Sequence, residues 1–141
     1  MLISIENTEK RPSVREQKSI HFELLDKLKH ALETKKRYLD TNLTLSLLTK
    51  ELHTNREYLS RTINLFFGKS YTDYINEYRI KAAIEILESI ANKTAKPRTM
   101  LKVANASGFK STSTFNPAFK KVVGVTPSGY KQQIKVGKLE I

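Results

Sequence analysis

The chain contains no cysteine, which removes disulfides, thiolate metal sites and cysteine nucleophiles from consideration. Its three histidines, His21, His30 and His53, fall on different expected elements, with no paired carboxylate beside any of them. No glycine-rich phosphate loop is present, and no ligand spacing suits a metal ion. An enzyme, a metal site and a cofactor are therefore not expected. No apolar run approaches the roughly 18 residues of a membrane span, and residues 1–5 are too short for a signal-peptide core. The expectation is a soluble, cytoplasmic chain without membrane contact. Acid is scarce as well: 14 Asp and Glu stand against 25 Lys and Arg in 141 residues, a net charge of +11. Such an excess suits a polyanionic partner, whether DNA, RNA or an anionic membrane surface. The length fits one domain, or two small ones sharing a core.

What is present is organised around residues 70–89. Tyr71, Ile75, Tyr78 and Ala82 form one apolar stripe at helical spacing, and Ile80, Ala83, Ile84 and Leu87 form another. A helix apolar on two sides must be covered on both, so Ala82 and Ala83 are expected against different neighbours. Ser70 is a good N-cap, with Asp73 in the capping-box position, and Gly68 is a natural end for the helix before it. About twenty residues at 1.5 Å each span roughly 30 Å, close to the ~34 Å between successive major-groove faces of B-DNA. The stretch reads as a rigid spacer between two similar units.

Residues 1–12 read as a flexible tail. Ser13 and Glu16 have the spacing of a capping box opening a helix whose inward face carries Ile20, Leu24, Leu25, Leu28 and Leu32. Lys35, Lys36 and Arg37 follow at its C-terminal end, where cations suit the helix dipole; they read as a solvated helix end rather than a binding patch. Between about residues 43 and 67 two short helices share a small core. Thr44 caps the first, with Leu45, Leu48 and Leu52 on one side. His53 stands where the turn calls for a left-handed residue. Asn55 caps the second, with Thr54 and Glu57 as an alternative capping box; Tyr58, Leu59, Ile63 and Phe66 form its apolar face. This is a helix-turn-helix pattern, and its outward residues are Arg56, Glu57, Ser60, Arg61 and Asn64.

After a polar loop at 91–98 the pattern returns between about residues 99 and 123. Thr99 caps a helix with Met100, Val103 and Ala104 inward, residues 107–109 turn, and Ser111 starts a helix with Phe115, Phe119 and Val122 inward. From Thr49 to Leu59, and from Ala104 to Phe115, the copies differ by one residue. Pro117 either falls inside the second helix or, with Asn116, forms a late cap and first turn. Thr126 and Pro127 open a final helix to about residue 135, with a frayed end beyond. The fold class is all-α: two helix-turn-helix units joined by a long central helix, a homeodomain-like tandem.

Residues 55–61 (NREYLSR), 68–75 (GKSYTDYI), 79–87 (RIKAAIEIL) and 104–109 (ANASGF), with Phe115, Phe119, Lys120, Lys121, Gly124, Thr126, Pro127 and Tyr130, resemble the DNA-binding domain of the AraC/XylS family of bacterial transcription regulators. The resemblance runs from about residue 43 to 131, inside a domain of residues 13–141. It implies a seven-helix domain that sets two recognition helices into adjacent major-groove segments of promoter DNA. On that pattern the DNA-binding residues are Asn55, Arg56, Glu57, Ser60, Arg61 and Asn64 in the first unit. In the second they are Ser111, Thr112, Ser113, Asn116, Lys120 and Lys121. Leu59, Ile63, Phe66, Phe109, Phe115 and Phe119 are assigned to the core. The chain departs from the pattern at Thr49, where Ala is usual, at Pro117, where a basic or polar residue is usual, and at Gly129. Duplex DNA is the implied partner, and RNA polymerase is left open as a second. Family members usually carry a sensor or dimerisation region, for which residues 1–12 leave no room; a stand-alone activator and the output domain of a longer receptor both remain open. The rival readings are a helical protein-interaction module and a non-specific nucleic-acid binder. Against RNA, the aromatic residues have core spacing rather than the exposure that base stacking needs.

Overall fold

The computed structural model describes residues 14–139. Among them seven α-helices are joined by turns, and no strand is present. They are α1 (Val14–Lys29), α2 (Leu45–Glu51), α3 (Arg56–Phe67), α4 (Tyr71–Ala91), α5 (Met100–Ala106), α6 (Thr112–Val123) and α7 (Pro127–Leu139). The α1 helix runs into a wide π turn, His30–Thr34, and a 3-10 turn, Arg37–Leu39, precedes α2. The expected Ser13 cap and the tail lie outside the described residues. Among the described residues no helix is long and apolar enough to cross a membrane.

The caps explain where the helices begin. Thr44, Asn55, Ser70, Thr99 and Ser111 each have extended backbone and accept a hydrogen bond from the N–H three residues on, satisfying one of the orphan donors of a helix start. Thr126 does the same for Gly129. Gly68 and Gly124 end α3 and α6 in the left-handed conformation, each bonding back four residues. The last helix continues to Leu139, past the expected end near residue 135.

Two apolar cores sit at opposite ends of α4. In the first, Leu24, Leu28 and Leu32 of the first helical segment pack with Leu48, Leu59 and Ile63, against Tyr74 and Ile75 of α4. In the second, Ile80, Ala83 and Leu87 of α4 pack with Val103, Phe109, Phe115 and Phe119. Each fully buried aliphatic side chain contributes about 1.5–3 kcal/mol relative to exposure. The α4 helix is therefore divided along its length as well as around its circumference. Its first turns serve one core and its last turns the other. Ala82 lies on the first stripe but a turn beyond the first core, and it stays partly exposed instead of buried. Tyr74, absent from both expected stripes, is buried and stacks on Phe67 with ring centres 4.5 Å apart. Phe67, itself partly buried, thus takes the packing role expected of Phe66, which packs against neither core. Val122 is likewise turned outward, 45% exposed, while Ala118 and Val123 face the second core in its place.

The two ends meet at Arg79. Its Nε donates to the Tyr38 carbonyl at 2.7 Å, and Nη2 donates to the Asp40 carbonyl at 3.1 Å. Its guanidinium lies over the Phe109 ring, 5.7 Å from the centre. Burial lowers the pKa of Arg79. The turn at Gly108 packs directly on this group, and φ there is +102°. A Cβ at Gly108 would come to 2.1 Å from the Tyr38 carbonyl oxygen and 2.8 Å from Arg79 Nε. Only glycine permits that approach. The neighbouring cation, Arg37, is no solvated helix end either: Nε and Nη2 donate to Glu51 at 3.1 and 2.7 Å, and Nη1 pairs with Asp40 at 3.1 Å. These bonds raise its pKa, Glu51 contributing most.

Gly108→Ala should therefore cost far more than Gly68→Ala. Gly68 has φ of +65° but open space around a Cβ, so its loss should be near 1 kcal/mol. Arg79→Lys should lose about 2 kcal/mol, because an ammonium cannot hold both carbonyls in the same geometry. Urea unfolding of the three variants checks this ordering, and equal losses for the two glycines would contradict the joint.

Candidate nucleic-acid interface

The two helix-turn-helix units are built to one pattern. Each has a seven-residue helix followed by a twelve-residue helix: α2 and α3 in the first, α5 and α6 in the second. The left-handed residue of the turn is His53 in one and Gly108 in the other, with φ of 55° and 102°. The next residue bonds back in the same way, Thr54 N–H to the Thr49 carbonyl and Phe109 N–H to the Ala104 carbonyl, both at 2.9 Å. The extra residue of the second copy is Lys110, inserted between Phe109 and the Ser111 cap. Thereafter the units align position by position: Leu59 with Phe115, Thr62 with Ala118, Ile63 with Phe119, all buried.

The same alignment defines the outward faces. Arg56, Glu57, Arg61 and Asn64 are exposed on α3, and Ser60 is half-buried beside them. Glu57 Oε1 accepts from Arg61 Nη2 at 3.2 Å across one turn, with both side chains largely exposed. An exposed pair of this kind contributes under about 1 kcal/mol, so the guanidinium remains available to another acceptor. Asn55 uses its Oδ1 to cap α3, accepting from Tyr58 N–H at 2.8 Å. On α6, Ser113, Asn116, Pro117 and Lys120 are exposed and Thr112 is half-buried. Ser111 is occupied as a cap and shares hydrogen bonds with the Ser113 and Thr114 hydroxyls at 2.9 and 3.2 Å. Pro117 lies within the regular helix, which excludes the late-cap alternative. At about 100° per residue, Lys121 stands roughly a quarter-turn off the arc shared by Asn116 and Lys120. It faces α4 instead, where its Nζ donates to both Asp73 carboxylate oxygens at 2.9 and 3.1 Å. Asp73 is thereby drawn into a bond between the units.

Polar residues behind α3 were not anticipated. His21 of α1 is buried, stacks on Tyr58 with ring centres 4.2 Å apart, and hydrogen-bonds through Nδ1 to Thr62 Oγ1. The Thr62 hydroxyl donates to the Tyr58 carbonyl at 2.9 Å, so the imidazole acts as donor to Thr62. Burial, and then the charge of Arg61, lowers the His21 pKa. His30 and His53 are exposed.

Residues 48–133, both units together with α4, match a family model described as a helix-turn-helix domain. The chain belongs to the AraC-type helix-turn-helix family. This family is one of DNA-binding transcription-regulator domains rather than enzymes. The chain is 30% identical over 94 residues to an uncharacterised HTH-type transcriptional regulator, YtdP, of Bacillus subtilis (67% of this chain, 11% of that protein). It is 26% identical over 113 residues to the transcriptional regulatory protein HptR of Staphylococcus aureus (80% of this chain, 39% of that protein). The chain thus spans less than half the length of these curated relatives. Its fold resembles the C-terminal domain of AraT, a response regulator from Geobacillus stearothermophilus, with a TM-score of 0.61 and 25% identity over 89% of this chain and 88% of that one. The C-terminal domain of the two-component response regulator yesN from Fusobacterium nucleatum gives a TM-score of 0.57 and 28% identity over 69% and 88% of the two chains.

The buried histidine should make the stability of this AraC-type domain pH-dependent. The pKa of His21 in the folded chain lies below its ordinary value of 6.5, so folding favours the neutral ring. The stabilisation is complete above that value and is lost as the pH falls from it through the folded pKa. Unfolding midpoints should drop between pH 8 and pH 5.5, and His21→Phe, which keeps a ring against Tyr58, should show a smaller drop. An identical acid-side slope in the variant would remove His21 as the cause.

Proposed function

We propose that this chain binds promoter duplex DNA sequence-selectively, with α3 and α6 entering adjacent major-groove segments. The observation that carries the reading is the duplication itself: two units of matching helix lengths and turns, fixed on one long helix and each exposing a polar face. The 21 residues of α4 span roughly 30 Å, against about 34 Å for one helical turn of B-DNA. The net charge of +11 supplies the attraction to phosphate. A protein-interaction module accounts for the two cores but gives no reason for duplicated polar faces. The DNA contacts assigned are Asn55, Arg56, Glu57, Ser60, Arg61 and Asn64 on the first unit and Ser111, Thr112, Ser113, Asn116, Lys120 and Lys121 on the second. The capping residues Asn55 and Ser111 act there by aiming helix N-terminal amides at phosphate. Lys121 reaches DNA only on leaving Asp73. This reading includes a cytoplasmic location, RNA polymerase as a second partner, and a sensor or dimerisation region on a longer parent chain. Transcription from a selected site with purified polymerase tests the polymerase arm.

The two units contribute unequally. The sixth residue of α3 is Arg61, able to grip guanine or phosphate; the sixth residue of α6 is Pro117, with neither a side-chain donor nor an N–H. The first unit therefore carries most of the selectivity. The second holds the duplex through backbone amides, short polar side chains and Lys120.

Affinity for duplex DNA should fall steeply with salt, each neutralised phosphate adding about −0.9 to the slope of log K on log salt. On a site selected in vitro, Arg61→Ala should cost about 1–3 kcal/mol and reduce discrimination against scrambled DNA. Asn116→Ala should cost less, and Pro117→Arg should tighten binding to both duplexes alike. Gel shifts at two salt concentrations, with structured RNA as competitor, check these outcomes. Salt-independent binding, or preference for the RNA, would overturn the assignment; equal losses for Arg61→Ala and Asn116→Ala would overturn the asymmetry.

A further inference from the structure

The C-terminal end of α4, the loop after it and α7 enclose a half-open groove of about 640 Å³ that plays no part in the proposed DNA contacts. Leu87, Ile90 and Pro97 provide apolar walls, and Lys93, Lys131 and Lys135 are the charged residues lining it among the described residues. Two of these lysines are four residues apart on α7, so they stack on one face about 6 Å from each other. The adjacent face of α7 is committed elsewhere: Tyr130 and Ile134 pack on the second core. Glu88 next to the groove accepts the Tyr130 hydroxyl at 3.0 Å and does not line it. Among the described residues, no ion pair engages any of the three lysines.

We propose that this groove binds an amphipathic organic anion, an alkyl-chain carboxylate, with its apolar body against Leu87, Ile90 and Pro97 and its carboxylate among the lysines. Three observations favour that occupant. An apolar recess facing water attracts a hydrocarbon, because every Å² removed from solvent contributes. Among the described lining residues the charge has a single sign, and lysine heads on flexible stems can gather round one anionic group. The volume falls within the roughly 300–1,000 Å³ of single-ligand sites, whereas a docked acidic helix, about 10 Å across, calls for a longer trough. The site is separate from the reading of DNA by α3 and α6, so its test stands or falls independently of DNA binding.

The test is a titration of the full chain with dodecanoate, below its micelle concentration, followed by backbone amide NMR. Saturable shifts confined to residues 87–96 and 130–135 are expected, with dodecanol and dodecyltrimethylammonium at least tenfold weaker. The double variant Lys131→Glu/Lys135→Glu should weaken dodecanoate at least tenfold. Lys110→Glu, which changes the net charge away from the groove, should alter it less than twofold. Retained amide dispersion in both variants shows that folding is intact. Dodecanol binding as tightly as dodecanoate would reduce the groove to a nonspecific apolar patch and overturn the proposal. So would non-saturating shifts spread over α3 and α6, or an acidic amphipathic peptide competing where dodecanoate does not bind.

Discussion

Arg79 is a half-buried cation held by two backbone carbonyls rather than by a carboxylate. The Asp40 carboxylate nearby is committed to the Asn42 N–H and to Arg37, leaving Arg79 to the carbonyls of Tyr38 and Asp40. Its flat guanidinium bridges the segment that leads into the first unit and the turn of the second, where Gly108 and Phe109 close against it. A bond to a carbonyl is directional in a way that a contact between apolar surfaces is not. The relative setting of α3 and α6 is thus tied through a small polar joint, while the two cores supply the energy that makes the joint affordable.

Around that joint one scaffold has been used twice with different surfaces. The buried positions of α3 and α6 match in position, although Leu59 and Ile63 in the first are replaced by Phe115 and Phe119 in the second. The exposed positions diverge, with Arg56, Glu57 and Arg61 answered by Thr112, Ser113 and Pro117. Only the buried half of each helix is constrained by packing, so the outward half is free to differ. The second unit also has an outside tie, Lys121 to Asp73, linking α6 to the start of α4.

Much of this was legible in the sequence because it depends on local chemistry. Every internal cap expected from Thr44, Asn55, Ser70, Thr99 and Ser111 is in place, since a cap involves only the next three residues. The two-unit architecture and the left-handed His53 were legible for the same reason. What escaped involves residues distant in the chain. Phe66 and Phe67 are equally apolar, partly buried neighbours, and the position of Tyr74 decides that Phe67 is the one packed against the first core. Ala82 satisfies the periodicity of its stripe but lies beyond the end of the core it was meant to face. Val122 was assigned inward on spacing alone, and Ala118 fills that side of the helix. Arg37 looked like a solvated helix end because its main partner, Glu51, lies on another helix. On the candidate reading face, Arg56, Glu57, Arg61, Ser113, Asn116 and Lys120 are exposed as expected. Lys121 is turned away by an acid 48 residues distant.

The α4 helix belongs to both cores, and that has a consequence for cooperativity. Helix formation has a costly nucleus and cheap extension, so the turns that complete one core are continuous with those that complete the other. Neither core can lose its share of α4 without exposing apolar side chains that nothing else covers. Although the domain has two separate interiors, its unfolding is coupled through a single backbone, because both cores draw on the continuous helix α4.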